Sequence, residues 1–189
     1  KFIICGSGPY KLELQNLASK LNLKNVNFMP LQSFSEFNNF LNLADIHLVI
    51  QKAGASALVM PSKLTTILAV GGLSIITANA GSSLYSLVKE QNMGILVEAE
   101  NAEHLRGSIL NAVSNDFSQV RVNARKYAES YLSTDTILGS YEASIQNKKN
   151  GLEISPQFAP QRPGSDTAVL KIVALSSEIN GVKAANHSK

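Results

Sequence analysis

Phe2-Ile3-Ile4-Cys5-Gly6-Ser7-Gly8-Pro9 puts four apolar residues, a glycine turn and a proline in immediate succession. A short apolar run closed by turn residues predicts a strand over 2–5. The next stretch predicts a helix, because Pro9 to Leu21 places Leu12, Leu14, Leu17, Ala18 and Leu21 near one face. This strand-turn-helix unit recurs along the chain. Further strands are expected at Val26 to Met29, Ile46 to Ile50, Ser74 to Ala78 and Ile95 to Glu98. Helices are expected at Ser33 to Leu43, about Ser62 to Val70, Ser82 to Gln91, Ala102 to Val113, Ala124 to Tyr131 and Ile137 to Ile145. Strands alternating with helices imply an α/β fold, a Rossmann-like doubly wound parallel sheet covered on both faces. Helical spacing assigns Phe34, Phe37 and Phe40 to the core rather than to a membrane or cofactor surface.

Composition fits one such domain with an appendage. The 189 residues are 44% hydrophobic and 16% charged, which excludes a disordered chain. Seventeen Lys and Arg against fourteen Asp and Glu leave a net charge of +3, too weak and dispersed to point to nucleic acid. Cys5 is the only cysteine, so an intrachain disulfide is excluded, and Ile3 and Ile4 beside it predict a buried thiol in a reducing compartment. No apolar stretch reaches the roughly 18 residues of a membrane span, which leaves a soluble or peripheral protein. The opening at Lys1 carries neither an initiator Met nor a signal pattern and is read as the start of a piece of something longer. Near Asn147 the composition changes, and Lys148 to Gly151 lead into a segment with Pro156, Pro160 and Pro163. The domain is therefore placed at 1–147 and a loosely held tail at 148–189, with the apolar island Val169 to Leu175 able to dock.

Three places can carry chemistry. The Gly6-Ser7-Gly8 turn opens a helix, where backbone N–H groups meet phosphate. It departs from the dinucleotide fingerprint, since Lys11 stands where the third glycine belongs and no acidic residue closes the second strand. A tight turn without a ligand stays equally open. The second place is a window in charge: no Asp or Glu occurs between Asp45 and Glu90, while Lys52 and Lys63 lie inside it with Gly54, Ser56, Ser62, Thr65 and Thr66. A diphosphate site repels carboxylates and favours such donors. Ser62 is expected to cap a helix that exits at Gly71 or Gly72, with the amides of Lys63, Leu64 and Thr65 facing the open end of the sheet. An uncharged buried stretch is the plainer alternative, opposed by Lys63, a cation at a helix start. The third place, Gly81-Ser82-Ser83, is read as a helix cap. The histidines are scattered and give no metal cluster or nucleophile-base pair.

With these residues in hand, the chain resembles the C-terminal, nucleotide-sugar-binding half of retaining GT-B glycosyltransferases. The resemblance runs in order through Phe2 to Pro9, Asn25 to Pro30, Ala44 to Val49, Pro61 to Leu64, Ile67 to Gly72 and Gly94 to Val97 to the helices near Tyr141. Gln51 to Ala55 with Pro61 to Thr65 looks most like the subgroup of colanic acid and related exopolysaccharide synthesis. The resemblance implies a nucleotide diphosphate-sugar as donor, with its base near Met29, Pro30 and Leu31 and its phosphates at the helix entry from Ser62 to Thr65. The implied contacts are Gly6, Gly8, Pro30, Leu31, Lys52, Ser62, Lys63, Leu64, Thr65 and Thr66, with no metal and no cofactor besides the donor. Retaining enzymes of this type are thought to use the donor phosphate as proton acceptor, so no catalytic residue is assigned. The family's E-x7-E positions fall on Leu58 and Thr66, a departure at both. The resemblance further implies an acceptor domain and basic residues upstream of Lys1, a polysaccharide or lipid-linked acceptor, and a cytoplasmic location, at most peripheral to the inner face of the plasma membrane. A non-catalytic nucleotide-sugar-binding module, or an epimerase or oxidoreductase of the same layered fold, remains open.

Overall fold

The computed structural model describes residues 1–53 and 61–149. The order is β1 (Phe2–Cys5), α1 (Lys11–Lys20), β2 (Val26–Met29), α2 (Phe34–Asn42), β3 (His47–Val49), α3 (Ser62–Ala69), β4 (Ser74–Thr77), α4 (Ser83–Gln91), β5 (Ile95–Val97), α5 (Ala102–Ser114), α6 (Ser118–Tyr131) and α7 (Thr134–Lys149). Every expected element is present and every strand pairing is parallel. β1 pairs with β2, Phe2 opposite Val26, and β4 lies between β3 and β5 with Ile75 opposite Leu48 and Ile95. Among the described residues the expected continuous sheet is observed as two ladders, β1-β2 and β3-β4-β5, with no pairing between β1 and β3.

Side-chain alternation along β3 and β4 gives the larger sheet two apolar faces. Val49 and Ile76 point into one cluster with Leu64 and Leu68 of α3, Leu84 and Val88 of α4, and Ala124 and Tyr127 of α6. Leu48 and Ile75 point the other way, onto Ala112 and the half-buried Leu105 and Ile109 of α5, where Ile4 of β1 also packs. Leu64 and Leu68 are fully buried, so shortening either to alanine removes about 2–5 kcal/mol. β4 is buried along its whole length, as a central parallel strand requires.

Three expectations are corrected. Phe34 is 97% exposed, while Phe40 is buried and Phe37 half-buried, because α2 begins at Phe34 and its first turn projects beyond the neighbouring elements. The apolar face of α1 is only partly covered: Leu14 and Ala18 are half-buried, and none of its ten residues is fully buried. α6 starts six residues before Ala124, at Ser118, where the Asp116 carboxylate accepts from the Ser118 N–H at 2.8 Å and opens the helix. α7 runs through Lys149, and the tail beyond it with its apolar island lies outside the described residues.

α3 ends in a glycine pair that each do a different job. Gly71 takes φ +62° and donates to the Leu68 carbonyl at 3.0 Å, and Gly72 donates to the Ile67 carbonyl at 2.9 Å, which closes the helix in a Schellman motif. A Cβ on Gly72 would stand 2.7 Å from the His47 ring and 3.0 Å from Ile67 Cγ2. His47 is fully buried and cannot swing aside. Gly72→Ala is therefore expected to destabilise the domain by about 1–3 kcal/mol, read as a lowered denaturant midpoint at unchanged slope.

Candidate functional site

Cys5 is 1% exposed, as its neighbours predicted, and its thiol donates to the Pro30 carbonyl at 3.0 Å. The Gly6 N–H donates to Met29 O at 3.2 Å, so the turns after β1 and β2 are held side by side. Gly6 and Gly8 on one turn thus stand beside Pro30 and Leu31 on the other, with Leu31 54% exposed. The Pro30 carbonyl also accepts Gln32 Nε2 at 2.9 Å, which leaves this turn little freedom. Lys11 Nζ reaches back to the Gly6 carbonyl at 3.0 Å. The residue that breaks the dinucleotide fingerprint therefore brings a cation to the same turn, a role that the missing third glycine hid from sequence reading.

The loop after β3 is fastened from β4. The Gln51 N–H donates to Thr77 Oγ1 at 2.6 Å, and that hydroxyl donates to the Gln51 carbonyl at 3.0 Å. Asn79 Nδ2 donates to the Ala53 carbonyl at 3.2 Å. Lys52 is thereby carried on a segment pinned at both flanks. Thr77 and Asn79 went unnoticed in the sequence because hydroxyl and amide side chains at a strand end fit any turn. Gly54, Ser56 and Leu58 lie outside the described residues.

α3 begins at Ser62, where a helix was expected. Its N-cap is Pro61, not Ser62, and no side chain caps it. Proline has φ fixed near its helical value and sits naturally at a helix entry, so Ser62 becomes the first helical residue. The Leu64 N–H is taken by the Pro61 carbonyl at 2.9 Å, and the Leu64 side chain is fully buried in the core. Of the three amides expected to face the open end, the shift thus withdraws that of Leu64. Thr65 and Thr66 donate their hydroxyl protons to the carbonyls of Ser62 and Lys63 at 2.7 and 2.9 Å, leaving their oxygens as acceptors. Ser82 caps α4 as expected, accepting the Tyr85 N–H at 3.2 Å.

Lys63 is the electrostatic centre of this region. It is 9% exposed, and burial pushes its amine down from 10.5 to about 8. A cation in the first turn of a helix is opposed by the macrodipole as well as by desolvation. An anion bound there would offset both costs. Among the described residues no three His, Cys, Asp or Glu side chains converge to hold a metal. Backbone amides, two threonine hydroxyls and a lysine thus share the first turn of α3, at the carboxyl end of a parallel strand.

Residues 1–131 match the family described as Glycosyl transferases group 1. Over 146 residues the chain is 39% identical to the putative colanic acid biosynthesis glycosyl transferase WcaI of Escherichia coli K12, covering 77% of this chain and 35% of that protein. Among solved structures, Anabaena HepE in complex with UDP-glucose matches at a TM-score of 0.63 and 17% identity, over 77% of this chain and 40% of that one. WaaG, a glycosyltransferase involved in lipopolysaccharide biosynthesis, matches at 0.55 and 20% identity, over 76% of this chain and 37% of its own. The chain thus spans well under half the length of these relatives. The glycine turn, the pinned loop and the lysine at α3 stand within residues matched by one family, and the chain belongs to the group 1 glycosyl transferases.

Proposed function

We propose that this chain is the donor-binding half of a retaining hexosyltransferase that moves a sugar from a nucleotide diphosphate-sugar to a polysaccharide or lipid-linked acceptor in bacterial exopolysaccharide synthesis. The observation that carries the proposal is Lys63, a nearly buried cation in the first turn of α3. The donor diphosphate lies against that turn and neutralises it, with Lys52 on the pinned loop nearby. The base rests on the Pro30-Leu31 turn, and Thr65 and Thr66 offer hydroxyl oxygens to the ribose. As the glycosidic bond to phosphate breaks, Lys63 stabilises the charge that grows on the leaving diphosphate. A leaving phosphate oxygen takes the acceptor's proton, so transfer with retention needs no carboxylate base from this chain. The acceptor is positioned by an N-terminal domain beyond these residues, at the cytoplasmic side of the membrane. Among the described residues no helix is long and apolar enough to cross it.

UDP is the nucleotide we favour, because the HepE structures hold UDP and UDP-glucose. Calorimetric titration of the full-length protein with UDP-, GDP- and ADP-sugars should give tightest binding for a UDP-sugar. Failure of all three to bind would end the proposal. A second reading, a binding module that no longer transfers sugar, is favoured by Leu58 at a position where the resemblance calls for a carboxylate. It predicts UDP-sugar binding without turnover in the same protein.

A further inference from the structure

Alternation along β3 sends successive side chains to opposite faces of the sheet. Ile46, Leu48 and Ile50 pack on the α5 side, while Val49 packs with Leu64 and Leu68 of α3. Gln51 comes two residues after Val49 and so falls on the α3 side. The helix runs back along the strand: a Cβ on Gly72, just past its last turn, would stand 2.7 Å from the ring of His47, at the start of β3. From His47 through Val49 to Gln51, this face therefore leads from the end of α3 to its first turn, the one that holds Ser62 and Lys63. The backbone of Gln51 is already engaged, since its N–H and its carbonyl both bond to the Thr77 hydroxyl, at 2.6 and 3.0 Å. The side chain is different. Gln51 Oε1 is withdrawn from solvent and meets no hydrogen-bond partner among the described residues. The large majority of buried polar side-chain atoms in native folds have a partner, so this oxygen points to a group that arrives with a ligand.

We infer that Gln51 is a sugar-binding residue of the donor site, its amide taking a hydroxyl of the hexosyl group that is transferred. The inference rests on the donor reading above and adds to it a residue for the part of the donor that leaves. Diphosphate is a poor partner for the amide oxygen, because a diphosphate ester has no proton to donate at neutral pH. The base lies in that reading on Pro30 and Leu31, in the other ladder of the sheet, and the ribose on Thr65 and Thr66. The transferred sugar is the remaining part of the donor with protons to give. A hydroxyl also suits an amide turned either way, since it both donates and accepts, whereas a ring N–H or a carbonyl matches only one end of the amide. Three rotatable bonds separate the amide from the backbone, and Gln51 is half-buried, so the amide turns toward a ligand while Thr77 holds the main chain still. In this division of work the lysines meet the charge of the donor and Gln51 meets its neutral end.

Calorimetric titration of the full-length protein with UDP and with UDP-glucose tests it. Gln51→Met keeps the length of the side chain and removes its hydrogen bonds. It should weaken UDP-glucose binding by at least about fivefold and leave UDP binding within about twofold. Monodeoxy analogues of UDP-glucose, one for each hydroxyl of the hexose, make the matching deletion in the ligand. One of them should bind the wild-type protein at least about fivefold more weakly than UDP-glucose and should lose nothing further in Gln51→Met. Unchanged UDP-glucose binding in Gln51→Met, or an equal loss for UDP and UDP-glucose, would overturn the inference. If Gln51→Met does not fold, equal affinity of the wild-type protein for UDP-glucose and every analogue would overturn it as well. Failure of UDP itself to bind the wild-type protein would remove the donor reading and the inference with it, whereas retained UDP binding separates the two.

Discussion

Sugar transfer is expected to be undetectable for the 189-residue chain alone and measurable for the full-length protein, the largest effect this account predicts. Alignment of two reactants in a closed cleft supplies about 7–11 kcal/mol of barrier reduction, or a factor of roughly 10⁵ to 10⁸. On the proposed reading the described residues hold the donor and another domain orients the acceptor. The chain alone should still bind a nucleoside diphosphate, weakly, because α3 and Lys63 are present while the upstream basic residues implied by the family resemblance are not. The paired measurement is nucleotide calorimetry and transfer of radiolabelled sugar to a lipid-linked acceptor, on both proteins. Multiple turnovers by the 189-residue chain would place the acceptor site within it and end the half-enzyme reading.

Lys63→Ala in the full-length protein is expected to weaken nucleoside diphosphate binding by at least about tenfold. The figure follows from one charge-assisted hydrogen bond at about 1.5–3 kcal/mol. Folding should survive, since alanine relieves the desolvation cost of burying the ammonium. An unchanged dissociation constant would remove Lys63 from the site. The pH dependence gives an independent check. Burial lowers the folded-state pKa to about 8 against 10.5, so between these values the unfolded chain holds a proton that the folded one has released. On Lys63's account folding stability therefore rises with pH across this window. Nucleotide affinity has the opposite slope, because the ammonium that binds phosphate is lost as pH climbs through about 8. Lys63→Ala should flatten both slopes.

The fold was legible because each βα unit writes its own boundaries. Apolar runs such as Ile46 to Ile50 and Ser74 to Ala78 end in turn residues, and the helices after them keep their apolar positions on one face. Local patterns also revealed the buried Cys5 and the Ser82 cap, each set by immediate neighbours. Sequence reading failed where the answer depends on distant parts of the chain. Phe34 fits a helical stripe, but whether anything lies opposite its first turn is a tertiary fact. The same holds for α1, whose leucines form a plausible face that is only partly covered, with Leu14 half-buried and Leu12 and Leu17 exposed. At α3, Ser62 was read as the cap, but Pro61 takes that place in extended backbone and Ser62 is the first helical residue. The charge window did identify Lys63, because a missing class of residue can be counted without knowing the fold. The clamp by Thr77 and Asn79 joins residues 26 apart in sequence and left no local trace.

The central claim is that a nucleoside diphosphate sits where the glycine turn after β1 and the first turn of α3 meet the open end of the sheet. Amide chemical shifts of the full-length protein, followed as UDP is added, test this most directly. The account predicts that the largest changes fall on Gly6 to Gly8, on Leu31 and on Ser62 to Thr65, with smaller changes at Lys52. Saturable changes confined to α5, or to the exposed face of α1, with the Ser62 to Thr65 amides unmoved, would contradict it.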